Sequence, residues 1–512
     1  MREVDRGFAI RGNNTNVPLL IREFLSMPRP LHHHYYSPTC TRMRLYSSLL
    51  SIAACAAQSG PWPNTVPHYP QYPTRRVTTL TGTWAYGVAP NKTDATAVTY
   101  DEISTPQTIA VPMSFDVAPA GIKGLRGTVF YRSTHACTAG TSALARFYAV
   151  NFYARLFVDG VEVGNHTAGP YTPFAFVLPA CKSGGTRELA LVVNNEFNST
   201  LSPTATGGDF YFFSGLIRPV VCTELPNAAY FLDRIEPVTV DVAAGMIDVR
   251  VFVSGTAPST ITLALAFNGA PAGQPVAVPV TNGFAFMHNV TVPGGKPWTL
   301  GQGNLYTLTV TDQTTNDALT VRSGLRVVGI APGPPARLTI NGEIVKLKGF
   351  NRHHSWPDTG AAVTPAQEAR DLEVLQGVNA NYVRGGHYPQ SQSWLDLLDE
   401  AGIALWEEAL GPGVSTPDIE NPYFMANQIK AVTSMVTTSV AHPSVILHGY
   451  FNEGPSSDAN ACVGYKALAD TIHSLVGPTQ RLVTWASDKT TTDKCLEFAD
   501  VVSFNNYPGC VL

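Results

Sequence analysis

The stretch HPSVILHGYFNEG, His442 to Gly454, is almost wholly apolar until it ends in Asn452 and Glu453. Val445, Ile446, Leu447, Tyr450 and Phe451 are β-branched, aliphatic or aromatic. Pro443 before them and Gly454-Pro455 after them punctuate the run, which therefore reads as a short buried strand. A carboxamide and a carboxylate at the C-terminal tip of such a strand fit a parallel α/β barrel, whose chemistry is built where the loops leaving the strands surround a common mouth. A lone glutamate in a turn is otherwise an ordinary solvated acid. The neighbouring runs decide between the two readings.

Around this stretch the same grammar recurs. From GPPARLTINGEIVKLKGFN (333–351) onward, the helical segments PAQEARDLEVLQGV (Pro365 to Val378) and SWLDLLDEAG (Ser393 to Gly402) alternate with the apolar runs VKLKGFN, NANYVRGG, ALWEEAL, VILHGYFNE, RLVTWAS and VVSFNNY. Strand, helix, strand at this repeat means right-handed parallel units, hence a barrel or a doubly wound sheet. No glycine-rich phosphate loop opens any of the helices, which favours the barrel. The tips supply Asn351, Arg352, His353 and His354, then Arg384 and His387, Glu407 and Glu408, Asn452 and Glu453, Trp485, and finally Asn505 and Tyr507. Bidentate hydrogen bonders beside flat aromatic faces are what a neutral, hydroxyl-rich ligand such as a sugar needs. Buried polar groups satisfying one another are the competing reading.

Before the barrel the period changes to two. From about residue 75 to 225 short alternating runs follow one another, among them LTGTWAYGV, TVFYRSTH and RELALVVNN, and RLFVDGVEVG sets Asp159-Gly160 between two alternating arms, a strong hairpin signal. A β-sandwich follows from this. Residues 226–332, with AGMIDVRVFVSG, TITLALAF and LYTLTVTD, are spaced as an immunoglobulin-like sandwich would space its strands.

Length and composition agree. A chain of 512 residues exceeds a single core and divides into roughly three or four domains. With a net charge of −4 and no basic block or aromatic-interleaved Lys/Arg stripe, nothing points to nucleic acid as a partner. MRLYSSLLSIAACAAQSG, beginning at Met43, reads as a secretory signal; its apolar part, Leu45 to Ala57, is too short to span a bilayer, and no later run is long enough. Signals begin at the first residue, so residues 1–42 are expected to be a mispredicted or alternative leader. Its His32-His33-His34 run has no folded frame in which to hold a metal. Acceptor sequons at Asn91, Asn165, Asn198 and Asn289 support secretion. In an oxidising compartment Cys137 is expected to pair with Cys181 and Cys462 with Cys495, each within one domain, leaving Cys222 and Cys510 free. No CxxC spacing supports zinc or redox chemistry.

On GFNRHHSWPDTG, YVRGGHYPQSQSWLDLLDEAGI and HPSVILHGYFNEG, together with FVDGVEVGNHTAGPYTPF and DFYFFSGLIRPV, the sequence resembles glycoside hydrolase family 2, the family of β-galactosidases, β-glucuronidases and β-mannosidases, over about residues 75–510. The resemblance implies a multidomain β plus α/β chain: a leader and signal-like segment at 1–59, a jelly-roll β-sandwich that binds sugar at 60–225, an immunoglobulin-like β-sandwich at 226–332 and an incomplete (β/α)8 TIM barrel at 333–512. It implies a retaining exo-β-glycosidase of the β-galactosidase or β-glucuronidase type, with Glu453 as general acid/base, a glutamate whose partly apolar strand tip holds the catalytic proton. Asn452 and His387 match sugar-binding residues, Tyr507 the tyrosine that hydrogen-bonds the nucleophile, and Asp209 the jelly-roll aspartate that reaches into the active site. His353 and Arg384 join them as strand-tip hydrogen bonders.

Two departures from the family pattern carry consequences. The block EEALGPG lacks the later Glu and His that bind magnesium in galactosidase members, so neither a metal nor another cofactor is expected. The family's nucleophilic Glu lies on the seventh strand, beyond the block with Tyr507, whereas this sequence continues from Tyr507 only with PGCVL. A truncated gene model or splice product, inactive as written, is the expectation, with Glu408 the one local stand-in for the nucleophile. The alternative is a carbohydrate-binding protein without turnover. A second carboxylate about 5 Å from Glu453 separates the two. The partner expected in both cases is a β-glycoside carbohydrate, with no membrane; which sugar and which oligomeric state are not legible.

Overall fold

The structure, a computed structural model, describes residues 7–10, 21–22, 69–91, 93–118, 122, 124–197, 210–226, 228–477 and 480–507. The signal-like segment, His32 to His34, Asn198, Asp209 and Cys510 lie outside the described residues.

The alternating runs form two facing sheets. In Thr186–Asn194, Leu189, Leu191 and Val193 point into the inter-sheet core with Trp84, Tyr131 and Phe147, while Ala190 and Val192 sit in a smaller cluster on the other face with Phe130 and Phe157. Both faces of this strand are covered, which is why its run is apolar without alternation. It is central in a six-stranded sheet between Tyr153–Val158 and Thr128–Ala136. The Asp159-Gly160 pair closes the hairpin of Tyr153–Val158 and Val161–His166, with φ of 50° and 91°, the left-handed turn conformation that this pair supplies. The facing sheet runs Phe174–Leu178, Ala143–Phe147, Val220–Glu224, Val77–Thr79.

Residues 230–323 form a second antiparallel unit of seven successively paired strands from Tyr230–Asp241 to Asp317–Ser323. In Met246–Gly255 the alternation is strict: Ile247, Val249, Val251 and Val253 are core residues and their neighbours face outward.

The third unit is parallel. Gly349–Arg352, Tyr382–Gly385, Ala404–Glu408, Val445–Gly449 and Leu482–Thr484 pair side by side in that order, and Ala486–Ser487 pairs in parallel with Val501–Phe504. Helices Pro365–Gly377, Gln392–Ala401, Pro422–Ser439 and Cys462–Leu475 intervene. The first opens on a Thr364/Gln367 capping box with Pro365 in its first turn, and the second is capped by Ser391 and ended by Gly402 at φ 66°. Among the described residues no strand pairs with the outer edge of Gly349–Arg352; the edge of Val501–Phe504 carries Gly7–Ile10 antiparallel.

The units are joined by buried side chains. Trp298, fully buried, donates its indole N–H to the Asp399 carbonyl at 2.8 Å, and Arg326 donates to the carbonyls of Pro443, Gln480 and Val445 at the N-terminal side of the parallel strands. Both expected disulfides, Cys137–Cys181 and Cys462–Cys495, are formed, and Cys222 is free and buried. No helix among the described residues is long and apolar enough to cross a membrane.

Acid sensitivity follows from the buried histidines. Burial pushes His166 down to about 4, His354 down to about 3 and His448 well below its ordinary value. Each folded value lies below the unfolded one near 6.5, so the unfolded chain takes up protons first, and stability present above pH 6.5 is lost as pH falls toward those values, by up to roughly 1.4 kcal/mol per pH unit for each group. Asp396, pushed up to about 6 by burial against the opposing pull of His442 and Arg322, acts in the opposite sense, losing stability as pH rises through 6. His135, pushed down to about 4 by burial, acts with the three histidines, and Glu407, His442 and His473, all raised, act with Asp396. The urea midpoint is expected to fall between pH 7 and pH 5, and to fall less in a His166→Gln variant. A midpoint that rises on acidification contradicts this.

Candidate active site

All the expected strand-tip residues that are described lie at the C-terminal ends of the parallel strands. Glu453 follows Val445–Gly449 in a turn in which both Phe451 (φ 49°) and Glu453 (φ 52°) adopt the left-handed region. Strained non-glycine backbone of this kind persists where the surroundings over-determine it. Here the Glu453 N–H donates to the Ala486 carbonyl at 2.9 Å.

One oxygen of Glu453 is taken. Its Oε1 accepts from Asn505 Nδ2 at 2.7 Å and faces Tyr507 Oη at 3.4 Å. Asn505 Nδ2 also donates to Asn452 Oδ1 at 3.0 Å, and Arg384 Nη2 donates to the same oxygen at 2.7 Å. Asn452 thus turns its carbonyl to its protein neighbours, which leaves its NH2 as the end able to meet a hydroxyl.

Arg384, expected as a strand-tip sugar binder, is the centre of a buried network. Nε donates to Glu408 Oε1 at 2.8 Å, Nη1 to Asn505 Oδ1 at 3.2 Å and Nη2 to Asn452, with the guanidinium 4.5 Å from the Trp406 ring. Glu408, read as the stand-in nucleophile, is the counter-charge of this network. Burial alone pushes its carboxyl up, but Arg384 and His387 outweigh burial and hold it below the usual carboxylate range. Its other oxygen lies 2.7 Å from His387 Nδ1. A carboxylate has no proton to give, so Nδ1–H donates to Glu408, and Arg384 Nη2, 3.2 Å from the same nitrogen, is a neighbour there rather than its donor. Glu407, on the opposite face of the strand, accepts from the Gln390 N–H at 3.0 Å, and burial raises its carboxyl.

The mouth is walled by rings. His353 lies 5.3 Å from His387, and Phe210, contributed by the jelly-roll unit, lies 5.1 Å from His353 and 5.8 Å from His387. Asp209 itself is outside the described residues, but its neighbour Phe210 reaches the mouth. Tyr507 is 60% exposed. Asn505 appeared among the strand tips without a role, and it is the residue that holds Glu453.

Asp396, Asp399 and His442 bring ligand atoms within 4.8 Å of one another at the opposite end of the strands. Internal partners already serve that cluster: Arg322 meets Asp396 at 2.8 Å, and Asp399 accepts from His442 Nδ1 at 2.6 Å and from the Ser444 N–H at 2.9 Å.

Residues 335–508 match the family model described as Glycosyl hydrolases family 2, TIM barrel domain. A β-glucuronidase of Paenibacillus borealis is 26% identical over 479 residues, covering 85% of this chain and 77% of that one. A β-glucuronidase of Chlorocebus aethiops is 24% identical over 402 residues, covering 72% and 60%. Among solved structures, a GH2 β-galacturonidase from Eisenbergiella tayi bound to galacturonate superposes with a TM-score of 0.76 at 25% identity, covering 86% of this chain and 76% of that chain. These likenesses are to members of glycoside hydrolase family 2, whose barrel domain residues 335–508 match. It spans about three fifths of the length of the Chlorocebus relative. Within the family 2 frame the barrel match covers the parallel strands and every tip residue described above.

Proposed function

We propose that this chain carries the acid/base half of a retaining exo-β-glycosidase site, for a β-glucuronide, β-galacturonide or β-galactoside. The observation that carries the reading is Glu453: its Oε1 is fixed by Asn505 Nδ2, which also binds Asn452 Oδ1, at the C-terminal ends of parallel strands. In the reaction Glu453 protonates the glycosidic oxygen as the aglycone leaves, then takes a proton from the water that hydrolyses the glycosyl-enzyme. Asn452 NH2 and His387 Nε2 meet hydroxyls of the sugar, and Phe210 and His353 wall the mouth. Tyr507 and Asp209 keep the sugar-site roles that the family pattern gives them.

Glu408 is not the nucleophile in this reading, because it is the counter-ion of Arg384 and the hydrogen-bond acceptor of His387. With Glu408 so engaged, turnover by a polypeptide of residues 1–512 is near background in this reading. The same observation favours a second reading, a carbohydrate-binding protein without turnover. Disulfides at Cys137–Cys181 and Cys462–Cys495, with exposed acceptor asparagines at 91, 165 and 289, support secretion as a glycoprotein.

Calorimetric titration with D-glucuronate, D-galacturonate and D-galactose tests the site. At least one is expected to bind, and His387→Ala to weaken binding roughly tenfold, the worth of one good hydrogen bond to a buried group. If none of the sugars binds, the sugar-site reading fails.

A further inference from the structure

Arg218 belongs to the jelly-roll unit but ends inside the barrel. It is buried, and its guanidinium reaches the loop that follows strand Tyr382–Gly385: Nη2 donates to the Pro389 carbonyl at 2.7 Å, and Nη1 donates to the Gln390 carbonyl at 3.3 Å and to the Tyr171 carbonyl at 3.1 Å. Nη2 also lies 3.2 Å from His354 Nδ1. A guanidinium has no lone pair to offer, so Nδ1 of His354 is the acceptor and its proton sits on Nε2, which faces Glu368 Oε1 at 2.9 Å. Glu368 Oε1 in turn accepts from the Ser391 hydroxyl. Tyr388 Oη accepts from the His354 N–H at 3.0 Å, and its ring is stacked on Tyr171 of the jelly roll, 3.8 Å away and 9° from parallel.

Each of the four residues from Tyr388 to Ser391 is thus gripped from outside its loop, and His387 is the residue immediately before them. No carboxylate contacts Arg218 directly among the described residues, and its Nε is buried without a hydrogen-bond partner. An arginine so placed is costly to bury, and an apolar side chain would be cheaper if only packing were needed.

We propose that Arg218 is a positioning residue of the sugar site: reaching across from the jelly roll, it holds the Tyr388–Ser391 loop so that His387 keeps its Nδ1–H on Glu408 and its Nε2 toward the sugar. The jelly-roll unit is then a working part of the barrel's site. The proposal rests on reading His387 as sugar-binding, but its deciding signals come from the imidazoles themselves, so a protein that binds no sugar refutes the functional reading and leaves this one decidable.

The test is nuclear magnetic resonance of the 512-residue protein carrying nitrogen-labelled histidine, beside Arg218→Met and Arg218→Lys. In the parent, His354 is expected as the neutral Nε2–H tautomer and His387 with a protected Nδ1–H. In folded Arg218→Met, exchange of the His387 Nδ1–H with water is expected to be roughly tenfold faster, since loops freed from their partners open more often. Arg218→Lys, which keeps one charged donor, recovers part of the protection. An unchanged His387 signal and exchange rate in folded Arg218→Met overturns the proposal. So does the Nδ1–H tautomer of His354 in the parent, which is incompatible with a donor at Arg218 and can be read even if neither variant folds.

Discussion

Arg384→Met is expected to destabilise the protein by about 3–5 kcal/mol, the usual cost of removing one member of a buried ion pair. Methionine keeps the unbranched stem of arginine without its guanidinium, leaves the Glu408 carboxylate buried with only His387 beside it, and withdraws the donors that orient Asn452 and Asn505. Most of the loss comes from the stranded charge. The double variant Arg384→Met/Glu408→Gln is therefore expected to regain part of it, because the cycle removes the uncompensated anion together with its partner. Urea unfolding at neutral pH measures both. A loss below about 1 kcal/mol would place Arg384 in the class of exposed pairs and dissolve the network.

The second large effect concerns turnover. A polypeptide of residues 1–512 is expected to hydrolyse p-nitrophenyl β-glucuronide, β-galacturonide and β-galactoside on the order of 10⁶-fold more slowly than the typical enzyme median of about 10 s⁻¹, since loss of a nucleophile commonly costs that much. Glu408 cannot take over without leaving Arg384 and His387, both fully engaged with it. Turnover near the median would require Glu408, or another carboxylate such as Asp209, to act as nucleophile. Mass spectrometry after a fluorosugar trap would then find the label there.

The fold was legible where chemistry and period coincide. Asp159-Gly160 between alternating arms gave the hairpin, the segment PAQEARDLEVLQGV gave the helix observed at Pro365–Gly377, and the polar endings of the apolar runs placed the tips at one mouth. The site was legible in residue types but not in partners. An arginine at a strand tip looks the same whether it meets a ligand or a neighbouring carboxylate, and only the register of the parallel strands, Arg384 opposite Trp406, brings Glu408 within reach. Asn505 lies 121 residues from Arg384 and meets it only when the last described strand returns to the mouth. The grip of Arg218 on His354, 136 residues away, joins two domains. A charge between apolar neighbours in LIRPV was its one trace in the sequence.

The most direct test of Glu453 as the acid/base pairs residues 1–512 with the Glu453→Gln variant in methyl β-glucuronide, whose alkoxide is a poor leaving group that must be protonated as it departs, and excess sodium azide, an anion small enough to enter where a nucleophilic carboxylate would act. The parent is predicted to stay near background without azide and, with it, to form the α-glycosyl azide. Glu453→Gln is predicted to cut that azide-dependent rate by on the order of 10²–10⁴-fold, the size of a general-acid contribution. Equal azide-dependent rates in the two proteins, or azide-independent release of β-glucuronate that survives Glu453→Gln, would contradict the assignment.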